Sequence, residues 1–162
     1  MPARPGEHAA GRLVAVEIDP ASLSAVRDFI DAERRTAIRD LVADNRFSPG
    51  GREGTYSLRL SIADKKLVLD VTDEGGAPVV RHILSLTTLA RVVKDYFLVC
   101  ESYYEAVRTA PPSRIEAIDM GRRGIHNEGA EALIGRLSGK IDMDFETARR
   151  LFTLVCALRW RG

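Results

Sequence analysis

Arg122, Arg123, His126, Asn127 and Glu128 are the residues of this chain whose types and spacing could do chemistry. They lie in the segment Ile118–Gly129, IDMGRRGIHNEG, where Gly121, Gly124 and Gly129 interrupt the polar run. Two planar, permanently charged guanidiniums can hold a carboxylate or a phosphate through paired hydrogen bonds. Gly121 and Gly124 allow positive φ and a close approach of ligand to main chain, so the segment reads as a Gly-flanked turn. Asn127 is a good N-cap, and the free amides of a helix starting there would add to an anion site. The alternative is an interhelical turn whose arginines pair internally with Glu116, Asp119, Glu128 or Glu131. On the anion-site reading, replacing both arginines by alanine leaves folding nearly intact and abolishes binding.

His126 beside Glu128 invites an acid–base role. One histidine with nearby carboxylates lacks the paired-His spacing of a zinc hydrolase, and His8 and His82 are not evident co-ligands, so no metal and no cofactor are expected. A histidine hydrogen-bonded to the backbone is the structural alternative. The segment is no Walker loop, because it lacks Gly-Lys-Ser/Thr, and no dinucleotide fingerprint, because no strand precedes it. There is no Gly-x-Ser-x-Gly elbow and no cysteine in a polarised setting. Arg149, Arg150, Arg159 and Arg161 could extend a basic patch, but without clustered aromatics they are not a nucleic-acid signature.

The elements that must position these residues follow from periodicity. With 162 residues the chain has the length of one domain with a sizeable core. A net charge of +1 gives no global case for nucleic acid or membrane. Lysine occurs only at Lys65, Lys66, Lys94 and Lys140; the arginine bias suits anion capture, though a GC-rich genome produces it too. No apolar run is long enough to span a bilayer, and no signal-peptide core precedes the first strand. Cys100 and Cys156 sit on apolar helical stripes, which points to free thiols and a cytoplasmic location.

Residues 1–11 read as a flexible leader and 12–162 as a single domain. Val14, Val16 and Ile18 alternate as the inward face of a short strand, and a helix is expected from about Phe29 to Asp44. Residues 45–54 read as a loop. Tyr56–Ile62, Leu67–Thr72 and Val79–Leu84 alternate as an antiparallel meander, with one face wet and the first strand at one edge. Leu86, Leu89, Val93, Tyr96, Cys100, Tyr103 and Val107 then step by three and four, the seam of a long helix that Pro111-Pro112 ends. Ser113 and Glu116 form a capping-box pattern for the next helix, which should break at Gly121–Gly124, restart at Asn127 and end at Gly139. Asp142 or Asp144 caps a last helix, apolar nearly all round from Leu151 to Leu158 apart from Thr153, with Trp160 covering the core edge. The fold class is α+β: a small antiparallel sheet of three to four strands in the N-terminal half, packed by a helical C-terminal half.

Four segments, PVVRHILSL (78–86), RVVKDYF (91–97), SRIEAIDMGRRGIHNEG (113–129) and FETARRLFTLVC (145–156), resemble a bacterial uncharacterised protein family of about this length. The resemblance covers nearly the whole chain after the leader. It implies a single cytoplasmic domain and carries no activity, cofactor or catalytic residue. Two functions follow from the residues. One is a non-enzymatic binding or regulatory module that grips an anionic small molecule or an acidic protein surface. The other is a small enzyme using His126 and Glu128 as acid and base, with Arg122 or Arg123 holding an anionic substrate.

Overall fold

In the computed structural model the described residues are 11–23, 28–85 and 87–158. The readings made for residues 1–10, Leu86, Arg159, Trp160 and Arg161 lie outside them. Strand β1 (Arg12–Ile18) is followed by a 3-10 turn (Pro20–Ser22), then by α1 (Asp28–Ala43) and the short β2 (Phe47–Pro49). The meander β3 (Thr55–Ala63), β4 (Lys66–Asp73) and β5 (Pro78–Ser85) follows. Then come α2 (Thr87–Thr109), α3 (Pro112–Leu137), β6 (Ile141–Met143) and α4 (Phe145–Cys156). The fold is α+β.

The four-stranded sheet has the order β1-β3-β4-β5. It is mixed rather than antiparallel throughout, because β1 joins β3 in parallel. A parallel neighbour needs a long crossover, and α1 supplies it. The β3–β4 connection is the two-residue turn Asp64-Lys65, both with positive φ. Two left-handed residues match the right-handed twist of a hairpin, here without a glycine. In β1 the register shifts between Leu13 and Ala15. That bulge resets the alternation: Leu13 and Ile18 are buried, while Val14, expected inside, is 43% exposed. Phe47–Pro49, expected as loop, pairs antiparallel with Ile141–Met143.

One sheet face is solvated, and its register aligns Glu17, Arg59, Asp70 and Arg81 across all four strands. Arg59 contacts Glu17 and Asp19 at 3.2 Å, and Arg81 contacts Asp70 at 2.6 Å. The other face, with Leu58, Leu60, Leu69 and Leu84, joins the helices in one core. His82 belongs to that inner face, opposite Leu69, and burial holds its pKa below the ordinary value, with Lys140 adding to the effect.

Helix α4 is the centre of the helical half. Asp144 caps it, its Oδ1 accepting from the Thr147 amide at 3.1 Å. From Leu151 to Leu158 every residue except Thr153 is buried, and α4 packs against α1, α2 and α3.

The largest departure from the sequence reading is α3. It runs unbroken over 26 residues through Gly121–Gly124 and past Asn127. None of Gly121, Gly124, Gly129 and Gly135 has a positive φ. An internal glycine costs a helix about 1 kcal/mol, and packing against α2 and α4 outweighs that. Gly129 is required there: a Cβ would lie 2.4 Å from the Phe152 ring. At the N-terminus, Pro112 takes the first helical position after Pro111, with no side-chain cap, so Ser113 and Glu116 do not form the expected capping box. Gly139, at φ +78, does follow the helix end.

Candidate functional site

A continuous α3 removes the Gly-flanked turn. It also removes the helix start at Asn127, whose neighbouring amides are consumed by intrahelical hydrogen bonds. What the helix does instead is set Arg122, Arg123 and His126 on one side, one turn apart. All three line a single cleft of about 520 Å³. Helix α4 contributes Glu146, Arg149, Arg150 and Thr153 to it; α1 contributes Glu33, Thr36 and Asp40, and α2 contributes Tyr96 and Tyr104. The cleft therefore runs along α4, between α1 and α3. Asn127 is half-buried and Glu128 exposed, and neither lines it. Residues two apart on a helix point to different faces, so Glu128 cannot act with His126.

His126 is held from both ring nitrogens. Arg149 Nε donates to Nδ1 at 3.2 Å, and Nε2 lies 2.8 Å from Thr153 Oγ1. A guanidinium only donates, so Nδ1 is the acceptor, and the neutral ring carries its proton on Nε2 and gives it to Thr153. The ring packs against Tyr96 and edge-on to Phe152. Burial, then Arg149 and Arg122, push its pKa down to about 4 against a weaker pull from Glu146. At neutral pH this imidazole is an uncharged packing element.

Arg122 is largely enclosed. Its Nε and an η-nitrogen donate to Asp119 Oδ1 at 3.1 and 2.7 Å, and its other η-nitrogen lies 3.6 Å from Glu33 Oε1. The guanidinium carbon sits 3.9 Å from the centre of the Tyr103 ring. Arg123, next in sequence, is 70% exposed and reaches Asp119 Oδ2 at 3.1 Å. Arg149 also pairs with Glu146 at 3.2 Å. Arg150 donates to the carbonyl of Asp44, at the C-terminal end of α1, at 2.7 Å.

Glu33 is the residue that sequence reasoning missed. It accepts from Tyr96 at 3.3 Å and from Tyr104 at 3.2 Å, through different oxygens. Burial raises its pKa, opposed by Tyr104, Arg122 and Tyr96. Tyr96, read as a step of the apolar seam of α2, and Tyr104 thus turn their hydroxyls into a polar cluster. The one legible signal was Thr153, the polar exception in the apolar run of α4, which marks where His126 docks.

Among the described residues no group of three or more His, Cys, Asp and Glu could hold a metal ion. No helix among them is long and apolar enough to cross a membrane.

The model of an uncharacterised protein family, UPF0262, matches residues 10–161. The chain belongs to UPF0262. A UPF0262 protein of Xanthobacter autotrophicus is 57% identical over 164 residues, covering 100% of both chains. One of Chelativorans sp. is 59% identical, over 94% of this chain and 96% of the relative. One of Rhizobium etli is 63% identical, over 82% and 85%. No solved structure matches. The UPF0262 match takes in every helix and strand of the described residues.

Proposed function

We propose that this UPF0262 protein is a non-enzymatic binding or regulatory module whose interhelical cleft takes an anionic small molecule. The observation that carries this reading is the convergence of Arg122, Arg123, Arg149 and Arg150 from two helices on one cleft. Its volume is that of a small-ligand site, and an acidic protein surface would engage only its mouth. The grip comes from side chains projecting from α3 and α4, in place of a loop and a helix N-terminus. His126 supports a binding role over catalysis, since both its nitrogens are committed to internal hydrogen bonds and Glu128 lies on another face. A cytoplasmic location belongs to the same reading, because two buried free thiols suit a reducing compartment.

A thermal-shift screen of small carboxylates, phosphate esters and inorganic phosphate tests the proposal. A ligand that binds only the folded state raises stability, by about 2.7 kcal/mol at a hundredfold excess over its Kd. At least one class should raise Tm, and Arg123→Ala and Arg149→Ala should each weaken that response. Arg59→Ala, on the far face of the sheet, should not. A screen in which no anion shifts Tm, or one in which the arginine variants respond like the parent, sinks the reading.

A further inference from the structure

We infer that the ligand of this cleft is a small monocarboxylate carrying a hydrogen-bond donor, an ammonium or hydroxyl group, at its far end. The inference rests on the anion-binding reading and narrows it.

The cleft is not uniformly cationic. Glu33, Asp40 and Glu146 line it beside the four arginines. A phosphate dianion would sit among three carboxylates, and uncompensated like charges at close range oppose binding. One carboxylate group suits the small cationic excess better.

Arg149 and Arg150 lie at one end of the cleft, beside Glu146 and Asp40, and Glu33 lies at the other, beside Arg122. Arg150 lies against the C-terminal end of α1, donating to the Asp44 carbonyl and approaching that of Asp40 at 3.5 Å. Glu33 lies toward the other end of the same helix, enclosed by Tyr96 and Tyr104 of α2 and by Arg122 of α3. From Glu33 to Asp40 is two helical turns, roughly 10 Å. Thr36 and Ala37 line the stretch between them. A short extended molecule can reach both ends, with its carboxylate toward Arg149 and Arg150.

The Glu33 end is built to accept. A carboxylate offers about four lone-pair directions. Tyr96 and Tyr104 occupy one on each oxygen, and the Arg122 contact at 3.6 Å is an ion pair rather than a hydrogen bond. The side chain retains 19% exposure, and it lines the cleft. Flanking tyrosine rings suit an ammonium group as well as a hydroxyl. Burial already holds the Glu33 carboxyl above its ordinary pKa, and an arriving cation would add to the counter-charge that Arg122 supplies from 3.6 Å.

The test is isothermal titration calorimetry on the full chain with unbranched acids about three to six carbons long. At each length the ω-amino acid, the ω-hydroxy acid and the unsubstituted acid are compared, beside inorganic phosphate. At the fitting length a donor-bearing acid should bind at least about tenfold more tightly than the unsubstituted acid and than phosphate, and the better of the two arms names the donor. Glu33→Gln should cut that preference below about threefold. Equal or weaker binding of the donor-bearing acids, with Arg149→Ala still lowering affinity for all, overturns this inference and leaves the anion-binding reading standing. Absence of binding by every probe, phosphate included, overturns both. The comparison of probes on the unmutated chain decides the matter even where Glu33→Gln does not fold.

Discussion

Replacing Arg122 by alanine and Arg123 by alanine should give two very different proteins, although the residues are neighbours. Arg122 is 22% exposed and serves Asp119 and Glu33, which are themselves 20% and 19% exposed. Removing it takes the counter-charge from Glu33, half of the pairing from Asp119, and the cation over Tyr103. Breaking a fully buried ion pair from one side costs about 3–5 kcal/mol. Here the carboxylates keep some solvent, and Asp119 keeps Arg123, so the expected loss is about 2–4 kcal/mol. Arg123 holds one contact from a largely solvated position, and its loss should fall within about 0.5 kcal/mol. Urea melts with unchanged slope measure both. Since the two arginines share Asp119, the double variant should lose more than the singles predict, by about 0.5 kcal/mol or more. The Arg122→Ala deficit should also shrink as pH falls, because a protonated Glu33 no longer needs a counter-charge. An Arg122→Ala loss below about 1 kcal/mol, or one smaller than that of Arg123→Ala, would refute this account. The near-normal stability expected from sequence for the double replacement is thereby withdrawn, since one arginine is internal architecture and the other is not.

Three further outcomes follow from the geometry. Gly124→Ala meets nothing within 4 Å on a helical backbone and should stabilise by about 0.5–1 kcal/mol, whereas Gly129→Ala drives a methyl into Phe152 and should lose about 1–3 kcal/mol; a destabilising Gly124→Ala would restore the turn. His126, with its folded pKa about 4, stays neutral while the unfolded chain binds a proton below about 6.5, so stability falls as pH drops from about 6.5 to 4, by up to about 3 kcal/mol; His126→Gln should flatten that part of the profile in denaturant melts, and an unchanged slope would contradict the assignment. Cys100, pushed up to about 12 by burial, and Cys156, which burial holds well above the ordinary thiol value, should resist a thiol reagent at pH 8 until the chain is unfolded, and labelling of the native protein at the rate of a free peptide thiol would show that they are accessible.

What the sequence disclosed and what it hid divide along the range of the interactions. The meander was readable because its strands pair with their sequence neighbours, and alternation reports the buried face residue by residue. The last helix was readable because an element at the centre of a core is apolar on every side. The inward face of β1 was misread because a bulge moves one residue out of register, and nothing in Val14-Ala15-Val16 marks it. The parallel pairing of β1 was equally hidden, since strand direction depends on where α1 carries the chain. The seam of α2 held to Tyr103, but its last step was off by one: Ala106 is buried and Val107 is 51% exposed.

The site shows the same division more sharply. Arg122, Arg123 and His126 drew attention through composition, and the reason first attached to them, a glycine turn, was local and wrong. Glycine signals a turn only where the backbone needs positive φ, and no glycine of α3 has one: Gly129 serves close packing against Phe152, and Gly124 meets nothing within 4 Å. Glu33 lies in the run Asp31–Arg35, which reads as an ordinary solvated helix face. Nothing nearby distinguishes it from Asp31, which pairs with Arg34 and Arg35 within its own helix. Glu33 becomes special through Tyr96 and Tyr104, 63 and 71 residues away, and through Arg122 on a third helix. A carboxylate held by groups from two other helices cannot be inferred from any window of sequence. On the proposed reading it is this residue, more than the arginines, that would make the cleft selective: guanidiniums alone would accept almost any anion, and a half-buried acceptor at one end would ask the ligand for a donor as well.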